Sequence, residues 1–430
     1  MLSRFFPILL AVILSRPLVC QEFSIPEIRD LPRVDRSSPR PSRDVLRNSA
    51  FILKFKQHAP LGDHYAIITD HTSPEYLEPL KQLAAHRKGS VLKVTDLATI
   101  YQKKTLNSLR AQLKELKPRY VAIAPRVESY RENMLLGTWE LLSTLDDDRY
   151  LDAYPGVLLA SSPKSFKALI QRSINYQSIS QQKLKPIAIS QVPSNTESRS
   201  LQKAGILRKV FEGYGLPTPI VAIYTPAANA APEIKGNQTW KIRLKSKKTF
   251  VKTFPPETDD ALSQSQLVVM HGHGIPGMSC SVDIDGIPTP SRNQIVLSGS
   301  CFAAVPPQSD FPRMNSAPGG YQVSQRQAFA TRYIDRGATV FFGHMRLSSG
   351  FPHLYPVLEQ WIQGASVGEA YQQLINGLMD MRGFGPGRLV VKPSPGQPSR
   401  SRPQRIPQNT LLYVIFGDPA LRPLEALKTP

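Results

Sequence analysis

The sequence predicts an α/β fold of three layers, α/β/α, with mostly parallel sheets and two similar subdomains. Short apolar runs recur along the chain without the polar alternation of a half-exposed strand. Continuous runs of this kind are typical of parallel strands that are covered on both faces. Segments with apolar residues at helical spacing separate the runs, which favours helices packed outside a sheet. With 41% hydrophobic and 20% charged residues among 430, the composition is that of a globular protein, not of a disordered chain or a membrane bundle.

The first predicted subdomain covers residues 61–180. Its helices carry leucine at helical spacing, as in Leu106, Leu109 and Leu113. The predicted strands are residues 65–69, 91–94, 120–124 and 156–160, and the predicted helices are residues 75–87, 106–116 and 166–174. Parallel strands need a crossover, usually a helix, so this succession indicates βαβ units.

The second predicted subdomain covers residues 181–425 and repeats the pattern. Its predicted strands are residues 186–189, 220–223, 267–270, 295–297, 338–342 and 411–416, with a helix at 201–214. A loop rich in proline, glycine and arginine, residues 383–408, precedes the last strand.

The amino terminus predicts export. Arg4 precedes an apolar run, residues 5–14, which is too short to span a bilayer, so residues 1–20 are expected to be a signal peptide. Lipid attachment at Cys20 is an alternative, although Val19 is larger than the residue usual at that place. Export makes the expected location extracytoplasmic, with membrane contact only during export. Residues 21–60, rich in proline, arginine and serine, are expected to be a tail or a pro-segment.

Histidine and cysteine follow two predicted strands of the second subdomain. The strand at 267–270 is followed by His273 and Gly274, and the strand at 295–297 by Cys301. Carboxyl ends of parallel strands meet at one edge of a sheet, so these residues are expected close together. A thiol nucleophile needs an imidazole that accepts and returns its proton. The backbone N–H groups of Gly274 and Cys301 are expected to face the developing oxyanion.

The spacing alone leaves two alternatives open for the thiol. A buried cysteine is often an inert, small core residue. If the chain is exported, Cys280 and Cys301 could instead form a disulfide bond in an oxidising compartment.

The blocks around these residues resemble the gingipain-type peptidases of the caspase-like cysteine peptidase group. The resemblance rests on an apolar run before His-Gly at residues 268–274 and on an apolar run before Cys301. Further blocks in the same order are residues 64–69, 146–155, 174–176, 337–343, 366–370 and 416–421. Together they cover most of the chain, from about Asp63 to Pro423.

The resemblance implies a caspase-like fold whose second subdomain carries the catalytic pair. Cys301 would be the nucleophile and His273 the general acid and base of an exported cysteine endopeptidase. This enzyme would hydrolyse peptide bonds in proteins or peptides through a thioester acyl-enzyme. The alternative is a non-catalytic caspase-like protein that binds partners or acts as a scaffold at the cell surface.

Two further groups of residues are weaker candidates for binding. His344 and Arg346 follow the strand at 338–342, so they are expected near the same edge as Cys301 and could line a substrate pocket. The acidic loop with Asp146, Asp148 and Asp152 offers oxygen ligands suited to a structural Ca²⁺ ion, as in some gingipain-type relatives, while a solvated acidic turn is the simpler interpretation. The proposed chemistry requires no cofactor.

The net charge of +20 keeps acidic partners open. Residues 241–248 alternate basic with apolar residues, which predicts either a protected sheet edge or a surface for acidic partners. No nucleic-acid-binding motif accompanies this charge, so no nucleic-acid partner is expected.

Overall fold

The computed structural model describes residues 58–191, 211–217, 220–225, 239–243, 256–272, 274–280, 282–308, 323–346, 348, 351–382 and 411–426. The predicted signal peptide lies outside the described residues, as do almost all of the predicted tail, most of the helix at 201–214 and the loop at 383–408. His273 also lies outside them.

The described residues form eight α-helices and fourteen strands. The helices are α1 (Pro74–His86), α2 (Lys103–Leu116), α3 (Glu132–Leu142), α4 (Pro163–Ile174), α5 (Pro256–Gln264), α6 (Phe329–Arg336), α7 (Phe351–Ile362) and α8 (Val367–Arg382). The strands are β1 (His64–Thr69), β2 (Ser90–Lys93), β3 (Pro118–Ala124), β4 (Tyr154–Val157), β5 (Pro186–Gln191), β6 (Ile220–Thr225), β7 (Thr239–Arg243), β8 (Leu267–His271), β9 (Gly274–Ile275), β10 (Met278–Ser279), β11 (Val282–Asp283), β12 (Gln294–Ser298), β13 (Ala338–His344) and β14 (Tyr413–Phe416).

Eleven strands form one sheet in the order β2-β1-β3-β4-β14-β13-β12-β8-β5-β6-β7. Every neighbouring pair is parallel except β13 with β14. Helices lie on both sides of the sheet, so the predicted α/β fold is confirmed. The predicted boundary near residue 180 stays a prediction, since both halves share this sheet.

The continuous apolar runs form the centre of the sheet, as predicted. Every residue of β12 and β13 is buried, because helices and loops cover both faces of these strands. Outside the sheet, α1 buries Leu77, Leu80 and Leu83, which lie on one side of the helix. Its first turn is set by Pro74 and by Ser73, whose side chain accepts a hydrogen bond from the backbone N–H of Glu75.

Some elements differ from the prediction. Helix α3 has no polar stripe, since eight of its eleven residues are buried, so helical spacing alone does not reveal it. The strands β9, β10 and β11 form a separate small sheet of two residues each, below the length at which alternation is visible. Strand β4 begins at Tyr154, two residues earlier than predicted.

The last strand joins the two halves of the sheet. Strand β14 lies between β4 and β13, and the Gly417 N–H donates to the Val157 carbonyl at 2.8 Å. Just beyond it, the fully buried Asp418 accepts hydrogen bonds from Arg87 at 2.6 and 2.9 Å and from the Tyr65 hydroxyl at 2.8 Å. Burial raises the pKa of Tyr65 well above its ordinary value, and the Asp418 carboxylate adds to the shift, so Tyr65 remains a donor.

Candidate active site

Three neighbouring strands end at one edge of the sheet. Strand β12 lies between β8 and β13 and is parallel to both, with Ser298 paired to Met270 and Leu297 to Phe342. The segments that follow these strands therefore start side by side. Cys301 belongs to the segment after β12. The sequence prediction of a shared edge is confirmed for these strands.

Cys301 begins the turn after β12, with a partly exposed side chain. Its Sγ accepts a hydrogen bond from the backbone N–H of Ser348 at 3.3 Å. The side chain also packs against a small apolar cluster of Phe302, Val305 and Val323. The thiol is thus oriented by its neighbours and accessible from one side, as a nucleophile must be.

The backbone after Cys301 is strained and firmly anchored. Phe302 has a φ of 57°, a left-handed conformation that non-glycine residues rarely adopt. Its N–H donates to the Arg346 carbonyl at 2.8 Å, and the Ala304 N–H donates to the His344 carbonyl at 3.0 Å. Strain that is held in place by surrounding contacts is concentrated at functional sites, which supports a functional role for this turn.

The segment after β8 packs directly on Cys301. A Cβ atom placed on Gly274 would lie 2.2 Å from the Cys301 carbonyl oxygen and 2.8 Å from the Ser300 Cβ, so only glycine fits there. Gly274 follows His273 in the sequence. Two of the residues predicted for the site, Gly274 and Cys301, are therefore in contact.

His344 lies beside Cys301 but is buried, with 1% of its surface exposed. Its Nδ1 accepts a hydrogen bond from the Arg346 N–H at 2.9 Å, and its ring contacts the Tyr413 ring edge-on at 4.4 Å between centroids. The imidazole thus fixes the loop after β13. Its role in a substrate pocket stays a prediction.

Arg346 is partly exposed and forms an ion pair with Glu132 at the start of α3. The exposed fractions of these side chains are 28% and 26%, so both groups are accessible to solvent. A guanidinium group at this edge suits a substrate carboxylate or carbonyl.

Several residues around the thiol carry no signal in the sequence. Ser348 Oγ lies 3.0 Å from the Tyr413 hydroxyl, which links β14 to the loop that bonds Cys301. The Tyr130 hydroxyl donates to the Ala304 carbonyl at 2.8 Å from the other half of the chain. Glu132 belongs to a helix that the sequence prediction missed. These residues meet only through tertiary packing, and no motif or spacing marks them.

Cys280 and Cys301 are not joined in a disulfide bond. Cys280 is fully buried, and its Sγ lies 3.2 Å from the Ser300 Oγ. The alternative of a purely structural disulfide is therefore wrong for this structure.

The acidic loop forms a compact cluster with a histidine. Ligand atoms of Asp146, Asp148, Asp152 and His58 all lie within 4.8 Å of one another. The His58 Nε2 lies 3.2 Å from the buried Asp152 Oδ1. Burial raises the pKa of Asp152 to about 7, and the Asp146 carboxylate adds to the shift.

The three carboxylates fit the oxygen preference of Ca²⁺, whereas imidazole is more typical of transition metals. Ca²⁺ at Asp146, Asp148 and Asp152 stays a prediction.

A second polar group follows β1. Asp70 is buried and accepts hydrogen bonds from the N–H groups of Leu97 and Arg126 at 3.0 and 2.7 Å. The next residue, His71, stacks on Tyr76 with ring centroids 4.0 Å apart. Burial lowers the pKa of His71, against the opposing effect of Asp70.

A mostly parallel sheet between helices, with a thiol at the carboxyl end of a central strand, is consistent with the caspase-like fold of cysteine peptidases. The model of Peptidase family C25, the gingipain family, matches residues 58–424. The chain belongs to this family, which indicates a cysteine peptidase acting on protein or peptide substrates. No curated protein matches the chain. Among the described residues, no helix is long and apolar enough to cross a membrane.

Proposed function

We propose that this chain is an exported cysteine endopeptidase in which Cys301 is the nucleophile and His273 the general acid and base. One observation carries the proposal: Gly274, the neighbour of His273 in the sequence, packs on the Cys301 carbonyl. The two loops that would supply the dyad therefore meet at one edge of the sheet. Family membership supports the same chemistry.

In the first step His273 takes the proton from the Cys301 thiol. The thiolate attacks the carbonyl carbon of the scissile bond, forming a C–S bond and a tetrahedral oxyanion. Collapse of this intermediate restores the carbonyl and breaks the C–N bond, while His273 gives its proton to the leaving amine. The product is a thioester between the substrate acyl group and Cys301.

In the second step water hydrolyses the thioester. His273 takes a proton from the water as its oxygen adds to the acyl carbon, and the C–S bond then breaks. The carboxylic acid leaves, and the proton that His273 took from the water is shared again between His273 and the Cys301 sulfur. Backbone N–H groups of Gly274 and Cys301 would stabilise the oxyanion in both steps. The anchored turn at Phe302 supports this role, because a rigid donor needs no reorganisation as charge develops.

Substrate recognition is proposed to involve the loop after β13. Arg346 lies on this loop with an accessible guanidinium group, and the buried His344 holds the loop in place. The reaction requires no cofactor. Residues 1–20 would direct export and residues 21–60 would be a tail or pro-segment, giving an extracytoplasmic enzyme with no nucleic-acid partner.

Labelling with a thiol-directed peptide probe tests the proposal. Wild-type protein should react at Cys301 and cleave a diverse peptide library, and Cys301→Ala should do neither. His273→Ala should lose at least about a hundredfold in kcat. Cys280→Ala is the control for labelling, since it removes the other described thiol and the probe should still react at Cys301.

Two results would reject the enzyme. One is cleavage that survives Cys301→Ala, and the other is a folded, reduced wild type that neither reacts with the probe nor cleaves any peptide. The second result would favour the non-catalytic binding or scaffold protein.

A further inference from the structure

A buried polar group lies directly beside Cys301. We call it the serine cluster: Ser279, Ser298, Ser300 and Cys280, all without exposed surface. The Ser279 Oγ lies 2.9 Å from the Ser300 Oγ and 3.0 Å from the Ser298 Oγ. The Ser300 Oγ lies 3.2 Å from the Cys280 Sγ, and the Ser300 N–H donates to the Ser298 Oγ at 3.3 Å.

The serine cluster joins the two segments that carry the proposed dyad. On one side, Ser300 immediately precedes Cys301. On the other side, Ser279 lies opposite Gly274 in the antiparallel pairing of β9 with β10. Because Gly274 follows His273 in the sequence, the hydrogen bond from Ser279 to Ser300 connects the hairpin beside the proposed base to the backbone beside the nucleophile.

Hydrogen bonds restrict the position of the β9–β10 hairpin relative to Ser300 more than apolar contacts would. A buried hydroxyl is unfavourable unless it is hydrogen-bonded, so a shift of the hairpin away from Ser298 and Ser300 would leave the Ser279 hydroxyl unsatisfied. Apolar side chains would fill the same space in several orientations. Cys280, the residue after β10, has a left-handed backbone conformation with a φ of 51°, which surrounding contacts must maintain.

The close packing of Gly274 makes the position of the hairpin critical. A Cβ atom on Gly274 would lie 2.2 Å from the Cys301 carbonyl oxygen, so the Gly274 backbone is in direct contact with that carbonyl. A shift of the hairpin would therefore alter both the proposed oxyanion donor at Gly274 and the spacing between base and thiol. Misplacement by about 1 Å costs about a hundredfold in rate.

We propose that Ser279 is a positioning residue, whose hydroxyl bonds Ser300 and fixes the β9–β10 hairpin against Cys301. This inference rests on the proposed function, because the hairpin position affects catalysis only if Cys301 and His273 are the dyad. Ser279 does not touch the substrate or the reacting atoms. It acts through the residues it aligns.

The test is Ser279→Ala in the full-length protein, with hydrolysis of a peptide substrate and alkylation of Cys301 by iodoacetamide as readouts. We expect kcat to fall about ten- to a hundredfold, while KM changes less than about threefold. The alkylation rate at neutral pH should fall as well, because a displaced hairpin would separate the proposed base from the thiol. Ser279→Thr keeps the hydroxyl and should restore kcat to within about fivefold of wild type.

Ser173→Ala is the matched control. Ser173 is also buried, and its hydroxyl donates to the Leu169 carbonyl at 3.0 Å within α4. The Ser173→Ala variant loses a buried serine hydroxyl that lies outside the proposed site, so kcat and KM should stay at wild-type values. Thermal unfolding of each variant separates a loss of folded protein from a loss of alignment.

Wild-type kcat and alkylation rate in folded Ser279→Ala would overturn the inference while leaving the proposed function intact. So would a loss that matches the unfolded fraction or that Ser279→Thr fails to reverse in a folded protein. Hydrolysis that survives Cys301→Ala would instead overturn the proposed function, and the positioning role with it.

Discussion

The backbone N–H of Ser348 donates a hydrogen bond to the Sγ of Cys301 at 3.3 Å. The same serine meets the Tyr413 hydroxyl through its Oγ, at 3.0 Å, so the contact to the thiol is braced by β14. A backbone donor favours the thiolate over the thiol, because hydrogen bonds to ionised acceptors are the stronger ones. The strand that joins the two halves of the sheet thus also supports the proposed nucleophile.

Replacing Gly274 with alanine should abolish most of the activity without unfolding the protein. The new Cβ would lie 2.2 Å from the Cys301 carbonyl oxygen, so the hairpin must move away from the thiol. We expect kcat/KM for a peptide substrate to fall at least about a hundredfold, while the far-UV circular dichroism spectrum stays unchanged.

The matched control for this variant is Gly215→Ala. Gly215 has a φ of 66°, but a Cβ there meets nothing within 4 Å. The control therefore carries backbone strain of about 1–2 kcal/mol without a steric clash. Wild-type activity in Gly274→Ala would contradict a close fit between the hairpin and Cys301.

Glu132→Gln should shift substrate preference toward acidic side chains. Glu132 pairs with the Arg346 guanidinium, and both groups are partly exposed. Without the carboxylate, the guanidinium is available to a substrate carboxylate, and a charge-assisted hydrogen bond contributes about 1.5–3 kcal/mol. Profiling a peptide library should therefore show about tenfold better cleavage at one acidic position.

The double variant Glu132→Gln, Arg346→Met provides the control. Methionine keeps much of the side-chain length and leaves the Arg346 backbone carbonyl in place for Phe302. The gain for acidic peptides should disappear in the double variant. An unchanged profile in both variants would remove Arg346 from the proposed substrate site.

The sequence predicts most of the sheet because its strands are buried on both faces. Apolar runs such as that of β13 remain visible whatever packs against them, and helices with one apolar side, such as α1 and α2, are equally visible. Helix α3 is missed because almost all of it is buried, so its sequence lacks a period. The joining of the two halves depends on β14, whose pairing partners are distant in sequence.

From the sequence, only those site residues can be predicted that directly follow a predicted strand. Cys301 and Gly274 follow strands that are neighbours in the sheet, so local pattern and topology suffice. Ser348 and Tyr413 reach the thiol region through a loop and a strand far along the chain. Their residue types are ordinary, and only the folded arrangement gives them a role.

Arg87→Met should destabilise the fold strongly. Asp418 is fully buried, and Arg87 bonds its Oδ2 through two nitrogen atoms. Removing the guanidinium leaves a buried carboxylate without its counter-charge, which costs about 3–5 kcal/mol. Urea unfolding measures this loss.

The control for this stability prediction is Arg119→Met. Arg119 also pairs with an aspartate, Asp63, but that carboxylate is 91% exposed. An exposed pair contributes at most about 1 kcal/mol, so this variant should remain close to wild type. Equal losses for the two variants would show that burial of Asp418 is not what makes its ion pair important.

Calcium should raise the thermal unfolding midpoint if the acidic loop binds it. The carboxylates of Asp146, Asp148 and Asp152 would act as ligands, so Asp152→Asn should abolish the effect. Ca²⁺ at about a hundred times its Kd stabilises a protein by about 2.7 kcal/mol. EDTA-treated protein is titrated with Ca²⁺ and, as a control, with Mg²⁺. The absence of any Ca²⁺-dependent shift would favour a solvated acidic turn.

His71 should make the fold less stable in mild acid. Burial lowers its pKa below the ordinary value near 6.5, so the unfolded chain binds a proton that the folded chain resists. This contribution to stability is present above about pH 6.5 and is lost as the pH falls toward the lowered pKa of the folded state, by at most about 1.4 kcal/mol per pH unit. Asp70 and Glu128 oppose the shift and Arg126 adds to it.

The variant His71→Phe tests this pH dependence. Phenylalanine keeps the ring stacked on Tyr76 but cannot be protonated. Urea unfolding at several pH values from 8 to about 5 should show that wild type loses more stability than the variant across this range. Parallel curves for the two proteins would mean that His71 titrates alike in the folded and unfolded chains, because linkage then leaves no pH-dependent difference between them.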